Sequence, residues 1–401
     1  MINIISHRDC CGCSACVQRC PKHCISLEED SEGFLYPKVD TQNCINCDLC
    51  EKICPWLNRP EPIPTLKVLA VKNRNEVERM ASSSGGVFIT LAKSILSKGG
   101  VVFGVVFDEN WEAKHTYAET LEGVKPMMGS KYLQSRIGSS YSEAEKFLKE
   151  GREVLFTGTP CQIAGLHNYL RKDYSNLFSV DILCHGVPSP GVWRKYLNEE
   201  FHLPSKKISK KKLDSTQVQN SYPIITNIEF RDKKMYGWKN FSFIVRGYTS
   251  KSDLKSILLS ETHNKNPFMR GFLSNVYLRP SCYECKCKNG VSHSDLTIAD
   301  YWAINLSMPD FNDDKGIGLV LVNTEKGKNF LDCLDIESRM SNLKDAKPMN
   351  GGFKEHILVH PKRNLFFEYL NDGTSIKEAI EKTLYIPMYQ KLWAKIKKKI
   401  R

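Results

Sequence analysis

The chain has 401 residues, 41% of them hydrophobic and 25% charged, enough for two or three domains with buried cores, and its formal net charge is +12. Its sixteen cysteines do not fit the disulfide frame of a small secreted domain, because ten of them fall before residue 55 of a long chain. The first ten residues carry neither a basic nor an apolar leader, and the longest apolar run, Val101 to Phe107, is broken by Gly104 and is too short for a membrane span, so a cytoplasmic protein with metal or redox chemistry is expected.

Cys10, Cys13, Cys16 and Cys20 followed by Pro21 fit C-x2-C-x2-C-x3-C-P, and Cys44, Cys47, Cys50 and Cys54 followed by Pro55 repeat the pattern 34 residues later. Three thiolates on one compact loop can each reach a different iron of a cubane, and in two-cluster ferredoxins the fourth comes from the other repeat. The expected sets are therefore Cys10, Cys13, Cys16 with Cys54, and Cys44, Cys47, Cys50 with Cys20. A pair of zinc knuckles would leave thiols unused in each copy. Cys11 and Cys24 fall outside the pattern and read as small core residues. Between the repeats, Ile25-Ser-Leu and Phe34-Leu-Tyr flank a polar turn and predict a hairpin.

Three prolines between Arg59 and Thr65 predict a stiff linker over 59–65, ending a ferredoxin-like domain over 1–58. Beyond it the pattern changes to alternating elements: a strand over Lys67–Lys72, a helix over Val87–Lys98 stopped by Gly99-Gly100, and a buried strand over Val101–Asp108. A helix over Ser142–Glu150, a strand over Glu153–Thr157, a helix over Gln162–Arg171 and a strand over Phe178–Leu183 follow. The expected architecture is α+β / α/β, a small two-cluster domain ahead of a larger mixed α/β body over 66–345 whose sheet is at least partly parallel.

In such sheets ligands gather at the carboxyl ends of the strands. Ser82-Ser83-Ser84-Gly85-Gly86 sits just before a helix, where backbone N–H groups and hydroxyls can hold a phosphate, or can serve as a plain cap. Thr157-Gly-Thr159-Pro-Cys161 ends one strand and Cys184-His-Gly ends the next, so neighbouring strands would place Cys161 and Cys184 on one rim. With Cys282 and Cys285 the count reaches four thiols, enough for a third cluster, and Cys287 competes with Cys285. His185 and His293 read as surface or core residues.

At these positions the sequence resembles the family of coenzyme F420 hydrogenase/dehydrogenase beta subunits over about residues 66–325. The resemblance rests on Ala81-Ser-Ser-Ser-Gly-Gly, Gly129-Ser-Lys-Tyr-Leu-Gln-Ser, Phe156-Thr-Gly-Thr-Pro-Cys-Gln, Cys184-His-Gly-Val-Pro-Ser, Phe230-Arg-Asp-Lys, and Arg279-Pro-Ser-Cys-Tyr-Glu-Cys with Ser294-Asp-Leu-Thr-Ile-Ala-Asp-Tyr-Trp. It implies a flavoprotein that binds FAD and one further [4Fe–4S] cluster, the flavin exchanging hydride with a small molecule and single electrons with the clusters. Ser83, Ser84, Gly85 and Gly86 would hold the flavin with Gly129, Ser130 and Lys131 nearby, Thr157 and Thr159 would face a cofactor from the rim, and Cys161, Cys184, Cys282 and Cys285 would hold the third cluster. Lys131 is the candidate catalytic side chain, steadying a reduced flavin or a substrate carboxylate, while Arg231 and Asp300 read as a salt bridge or cap.

The family's substrates vary, from the deazaflavin coenzyme to tetrapyrroles, and some members are associated with surface-polysaccharide genes. The competing expectation is an electron-transfer subunit whose redox partner protein does the chemistry. The basic surplus lies in Lys206–Lys212 and Lys391–Arg401; the second run, with Leu392, Trp393, Ile396 and Ile400, can form a basic amphipathic helix in an extension over 346–401, suited to anionic lipid. No nucleic-acid motif accompanies either run.

Overall fold

The computed structural model describes residues 1–201, 223–249, 252–354 and 357–387. Both basic runs, Lys206–Lys212 and Lys391–Arg401, lie outside the described residues.

The cysteine repeats fold as pseudo-equivalent halves around a hairpin of β1 (Ile25–Glu29) and β2 (Leu35–Val39), paired antiparallel with Ile25 opposite Val39. Each half carries a short helix, Ala15–Arg19 or Leu49–Lys52, entered through a left-handed residue, Ser14 (φ 61°) or Asp48 (φ 56°). Two positions earlier, Gly12 (φ 72°) and Asn46 (φ 51°) are left-handed as well. Glycine, asparagine and aspartate are the residues that tolerate this conformation best, so the backbone can coil tightly at matching places in the two loops.

The body is built on β3 (Lys67–Asn73), β4 (Val101–Phe107), β5 (Ala113–Ala118), β6 (Val154–Gly158), β7 (Leu177–Ile182), β11 (Leu296–Asp300), β12 (Gly318–Val322) and β13 (Ile336–Ser341). These form one sheet in the order β13-β3-β12-β11-β7-β6-β4-β5. The centre, β11-β7-β6-β4, is parallel, and every other pairing is antiparallel. The mixed α/β architecture expected from the alternating elements is therefore present, and the expected strands and helices agree to within two residues at most ends.

Both faces of this sheet are covered, which explains why β4 opens Val-Val-Phe and β12 reads Leu-Val-Leu-Val without polar alternation. On one face Val102, Leu155 and Val180 pack beneath the helix Val87–Leu96. On the other, Phe103 and Phe156 meet the helices Ser140–Lys149 and Pro160–Leu170. A separate antiparallel sheet of β8 (Ile224–Asp232), β9 (Ser242–Thr249) and β10 (Ser252–Thr262) closes one end. Among the described residues no helix is long and apolar enough to cross a membrane.

The ferredoxin half does not hang from its linker. Cys11, Cys13, Ala15, Ile53 and Trp56 join the same apolar cluster as Phe103 and Phe156. The Gln18 side chain accepts hydrogen bonds from the backbone N–H groups of Tyr141 (3.1 Å) and Ser142 (3.3 Å), at the start of a body helix. The proline-rich segment is strapped down, with Ile63 N–H donating to the Gly290 carbonyl and His293 Nε2 to the Glu61 carbonyl at 2.7 Å.

The chain beyond residue 347, whose sequence shows no readable chemistry, also has a structural role. Helices Arg363–Asn371 and Ile376–Leu384 bury Phe366, Ile376 and Ile380 in one cluster with Trp193 and Phe243. Arg363 reaches back from there to form a bidentate pair with Glu32 in the hairpin loop. Gly33 beside it has φ 90°, and a Cβ there would lie 2.2 Å from the Gly191 nitrogen, so only glycine lets the hairpin seat this closely.

Replacing Glu32 with alanine would leave the buried Arg363 without its counter-charge. The expected cost is about 3 kcal/mol, read as a lower urea midpoint at unchanged m-value. A midpoint equal to that of the parent protein would show that the hairpin is held by packing alone.

Candidate functional site

Two thiol-lined sites lie within the ferredoxin half. Cys20, Cys44, Cys47 and Cys50 line one cavity at the outer end, where Cys47 is exposed and Cys44 partly so. The Ile2 N–H donates to Cys50 Sγ at 3.2 Å, the kind of N–H to sulfur bond that tunes an iron–sulfur centre. Cys24 lies 3.5 Å from Cys20 at this end. Cys10, Cys13, Cys16 and Cys54 form the inner set, facing the body; burial pushes the Cys54 thiol up to about 11, and burial also raises Cys10 and Cys16. Cys20 thus lies with the thiols of the second repeat and Cys54 with those of the first.

A third thiol site lies in the body. Cys161 stands in the first turn of the helix Pro160–Leu170, directly after β6, and Cys184 follows β7. Because β6 and β7 are adjacent and parallel, Val154 beside Leu177 and Gly158 beside Asp181, both cysteines emerge on the same rim. Cys282 and Cys285, on and just after a short 3-10 helix over Pro280–Glu284, complete the lining of one cavity with them. Cys11 lines it too, whereas Cys287 does not and is fully buried.

Burial pushes Cys184 up to about 11 and Cys282 up to about 12, and it raises Cys285 too. Cys161 is raised first by its hydrogen bond with Cys11 and then by burial. Such thiols stay protonated unless a cationic centre deprotonates them. The Val187 N–H donates to Cys282 Sγ at 3.4 Å. Among the described residues no three Cys, His, Asp or Glu side chains converge on a point suited to a single metal ion.

Cys11, which the sequence presents as a core residue, is buried, but it stands between two thiol sites, lining the cavity of Cys161 and packing in one cluster with Cys13. Cys161 and Cys13 lie on opposite sides of the contact between ferredoxin half and body. A larger cavity of about 160 Å³ opens beside this contact, with Gly12, Gln134 and Trp193 in its wall. Its arginines, Arg136 and Arg194, are both paired with Glu112, so its charge is internally satisfied.

The serine–glycine loop occupies the other flank of the rim. Gly86 (φ 81°) caps the helix Val87–Leu96, and Ser83 Oγ accepts from the Ser130 N–H at 2.7 Å, which joins the two loops expected to share a cofactor. The Ser130 hydroxyl is also 3.0 Å from Ser83 Oγ and bonds Tyr132. Ser84 donates to the Ile317 carbonyl. Gly85 serves packing: a Cβ there would lie 2.3 Å from the Val71 carbonyl and 2.4 Å from the Gly318 nitrogen. Gly129 (φ 80°) has open space around it.

Lys131 donates to the carbonyls of Pro126, Met128 and Gly129, and burial lowers it to about 7. Lys233, the last residue of the Phe230-Arg-Asp-Lys motif and given no role from the sequence, donates to the Ser84 and Lys315 carbonyls and is likewise lowered by burial to about 7. Arg231 forms a bidentate pair with Asp300 and lies over the rings of Phe241 (4.4 Å) and Trp302 (4.8 Å). Its Nε is buried without a partner.

Two expected cofactor contacts are placed apart from this flank. Thr157 donates to the Phe103 carbonyl within the sheet, and Thr159 packs against Cys161 Sγ at 3.2 Å in the thiol cavity. His185 bonds Asn275, as befits a structural histidine.

Residues 9–58 match the 4Fe-4S dicluster domain, and residues 151–347 match the model described as the C terminus of the coenzyme F420 hydrogenase/dehydrogenase beta subunit. The chain is 23% identical over 356 residues to a component of the F(420)H(2) dehydrogenase of Methanosarcina mazei, the subunit designated F, covering 86% of this chain and 87% of that protein. It is 23% identical over 192 residues to an uncharacterised protein of Methanocaldococcus jannaschii, covering 41% and 53% of the two. A solved chain of the F420-reducing [NiFe] hydrogenase complex from Methanosarcina barkeri aligns at 16% identity with a TM-score of 0.43, over 81% of this chain and 92% of that one. With its dicluster module, its thiol-bearing body and these matched segments, the chain is an iron–sulfur electron-transfer protein related to the coenzyme F420 hydrogenase/dehydrogenase beta subunits, whose C-terminal domain matches residues 151–347.

Proposed function

We propose that the protein is an iron–sulfur flavoprotein oxidoreductase that moves electrons between the ferredoxin clusters and an FAD which exchanges hydride with a small molecule. The observation that carries this reading is the run of thiol sites: an outer set, an inner set, and the cavity of Cys161, Cys184, Cys282 and Cys285, joined to the inner set through Cys11. Three cubanes in series would form a path from the exposed edge at Cys47 to the interior of the body. The physiological direction of flow follows from the potentials of the two ends.

The flank of the serine–glycine loop fits an anionic cofactor. The half-buried Lys131 and the buried Lys233 and Arg231 bring three cationic groups to it, with Asp300 and Asp313 as the nearby carboxylates, and the unpartnered Nε of Arg231 is a donor awaiting an acceptor. A phosphate beside them would raise both lysines and keep them charged. Ser83, Ser130 and the N–H groups at the start of the helix after Gly86 would hold such a group. When bound, FAD would supply the exchange between two-electron and one-electron carriers that no cubane performs. Lys131 would then present its ammonium group where negative charge develops, on the reduced ring or on a substrate carboxylate.

The substrate class suggested by the family is a deazaflavin coenzyme or another reducible metabolite, including one from surface-polysaccharide metabolism. The relative from Methanosarcina mazei is by name a dehydrogenase subunit, and on that ground a redox partner protein is proposed at the outer cluster. Electron transfer to such a partner without substrate turnover is the second reading, and substrate-dependent flavin oxidation by the isolated chain separates the two.

Anaerobically purified protein is expected to contain about twelve irons and one FAD per chain, three cubanes' worth. About eight irons and no flavin would reduce the function to that of the dicluster module. Cys184→Ser is expected to remove about four irons and leave the ferredoxin signals intact, and an undiminished iron content would dismiss the third site. Lys131→Gln is expected to weaken FAD retention about tenfold, or about 1.4 kcal/mol. Equal retention in the parent and variant would move the flavin elsewhere. A Gly85 substitution is unsuitable for this purpose, since it disturbs the sheet contact whether or not a cofactor is bound.

A further inference from the structure

Arg279 is wholly buried, yet its guanidinium meets no carboxylate among the described residues. The other deeply buried arginines are all paired, Arg79 with Asp313, Arg231 with Asp300 and Arg363 with Glu32. Arg279 donates instead to neutral acceptors: the Cys10 carbonyl at 2.8 Å, the Leu35 carbonyl at 3.0 Å and Gln134 Oε1 at 2.8 Å. It lies over the rings of Tyr36 (4.3 Å) and Phe34 (5.3 Å). A buried guanidinium without an anion is strongly unfavourable, so its counter-charge must come from a group that becomes negative. The groups nearest to it that can do so are the Cys10, Cys11 and Cys282 thiols and the Tyr36 hydroxyl. The thiols lie on both sides of the contact.

The ferredoxin loop is shaped around this cation. A Cβ on Gly12 would lie 2.6 Å from Gln134 Nε2 and 2.8 Å from Arg279 Nη1, so the glycine between Cys11 and Cys13 is what lets both side chains reach the loop. Gln134 also donates to the Cys11 carbonyl at 3.1 Å and lines the cavity of Cys161 and Cys282.

We propose that Arg279, held by Gln134, is the fixed counter-ion of the inner ferredoxin cluster and biases where an electron rests between that cluster and the cluster of the body. The inference deepens the function proposed above and rests on its cluster assignment. A cubane bound by four thiolates is anionic and gains one more negative charge on reduction, so a cation fixed in a low-dielectric seam stabilises the reduced form more than the oxidised one. In the transfer one electron leaves the inner cluster, which is oxidised, and reduces the other, and no proton or bond changes hands. Arg279 is thus a positioning and potential-setting residue.

Gln134→Glu tests this in the full-length holoprotein. The change is nearly isosteric, keeps the hydrogen bond to Nη1, and neutralises the guanidinium where it stands. At full iron content, an anaerobic EPR-monitored titration is expected to show the inner cluster's reduction constant lowered at least tenfold, a downward shift of about 59 mV for one electron. Arg279→Lys, which keeps the charge but loses the fork, is expected to stay much closer to the parent potential. An unshifted potential in Gln134→Glu at full iron content overturns the inference while leaving the cluster assignment standing. If the glutamate costs the inner site its iron, Arg279→Lys decides: retention of the parent potential supports the counter-ion role, and a tenfold drop with charge retained overturns it. Parent protein lacking the ferredoxin irons would remove the cluster assignment itself, and the inference with it.

Discussion

Parallel pairing of β6 with β7 forces both strands to end on the same edge, and the rest of this molecule's chemistry is arranged around that edge. Cys161 leaves β6 into a helix, Cys184 leaves β7 into a loop, and the segment of Cys282 and Cys285 folds across them. The ferredoxin half lies over the same rim, so that Cys11 and Cys161 line one cavity. A tether would have left the two sets of thiols at a variable distance. The strapped linker, the Gln18 contact and the Glu32–Arg363 pair hold them at one distance, as a short electron path requires.

The two flanks of the rim differ in charge in a way that suits different occupants. On the sulfur side are buried thiols, raised by desolvation, with Arg279 as an unpaired cation among them. On the serine–glycine side are Lys131 and Lys233, held by carbonyls and depressed by burial, and Arg231, which pairs with Asp300 and lies over aromatic rings with its Nε unpartnered. Buried cations without carboxylates are costly, and so are buried thiolates without metal. Both costs are relieved by the groups proposed for each flank, an anionic cofactor on one side and anionic clusters on the other.

The C-terminal helices show how a segment without functional motifs still governs the site. Phe366, Ile376 and Ile380 complete a core that also holds Trp193, Phe230 and Phe243, and Arg363 carries the effect to the hairpin beside the inner thiols. The position of the ferredoxin half therefore depends in part on a residue 331 positions away in sequence, through the Glu32–Arg363 ion pair beside the close approach of Gly33 to Gly191.

Local chemistry is already decided at the level of the sequence. The doubled C-x2-C-x2-C-x3-C-P spacing is a short-range pattern, since each loop needs only its own residues to coil, and the strand–helix alternation of the body is legible because its apolar periodicity is local too. The same locality explains what stays hidden. Whether Cys285 or Cys287 lines the cavity depends on a single turn's direction, and the roles of Cys11, Gln134, Lys233 and Arg279 depend on partners 82 or more residues distant. Only tertiary packing brings an arginine at residue 279 onto the carbonyl of residue 10 and buries it there, and only then does its missing carboxylate acquire a meaning.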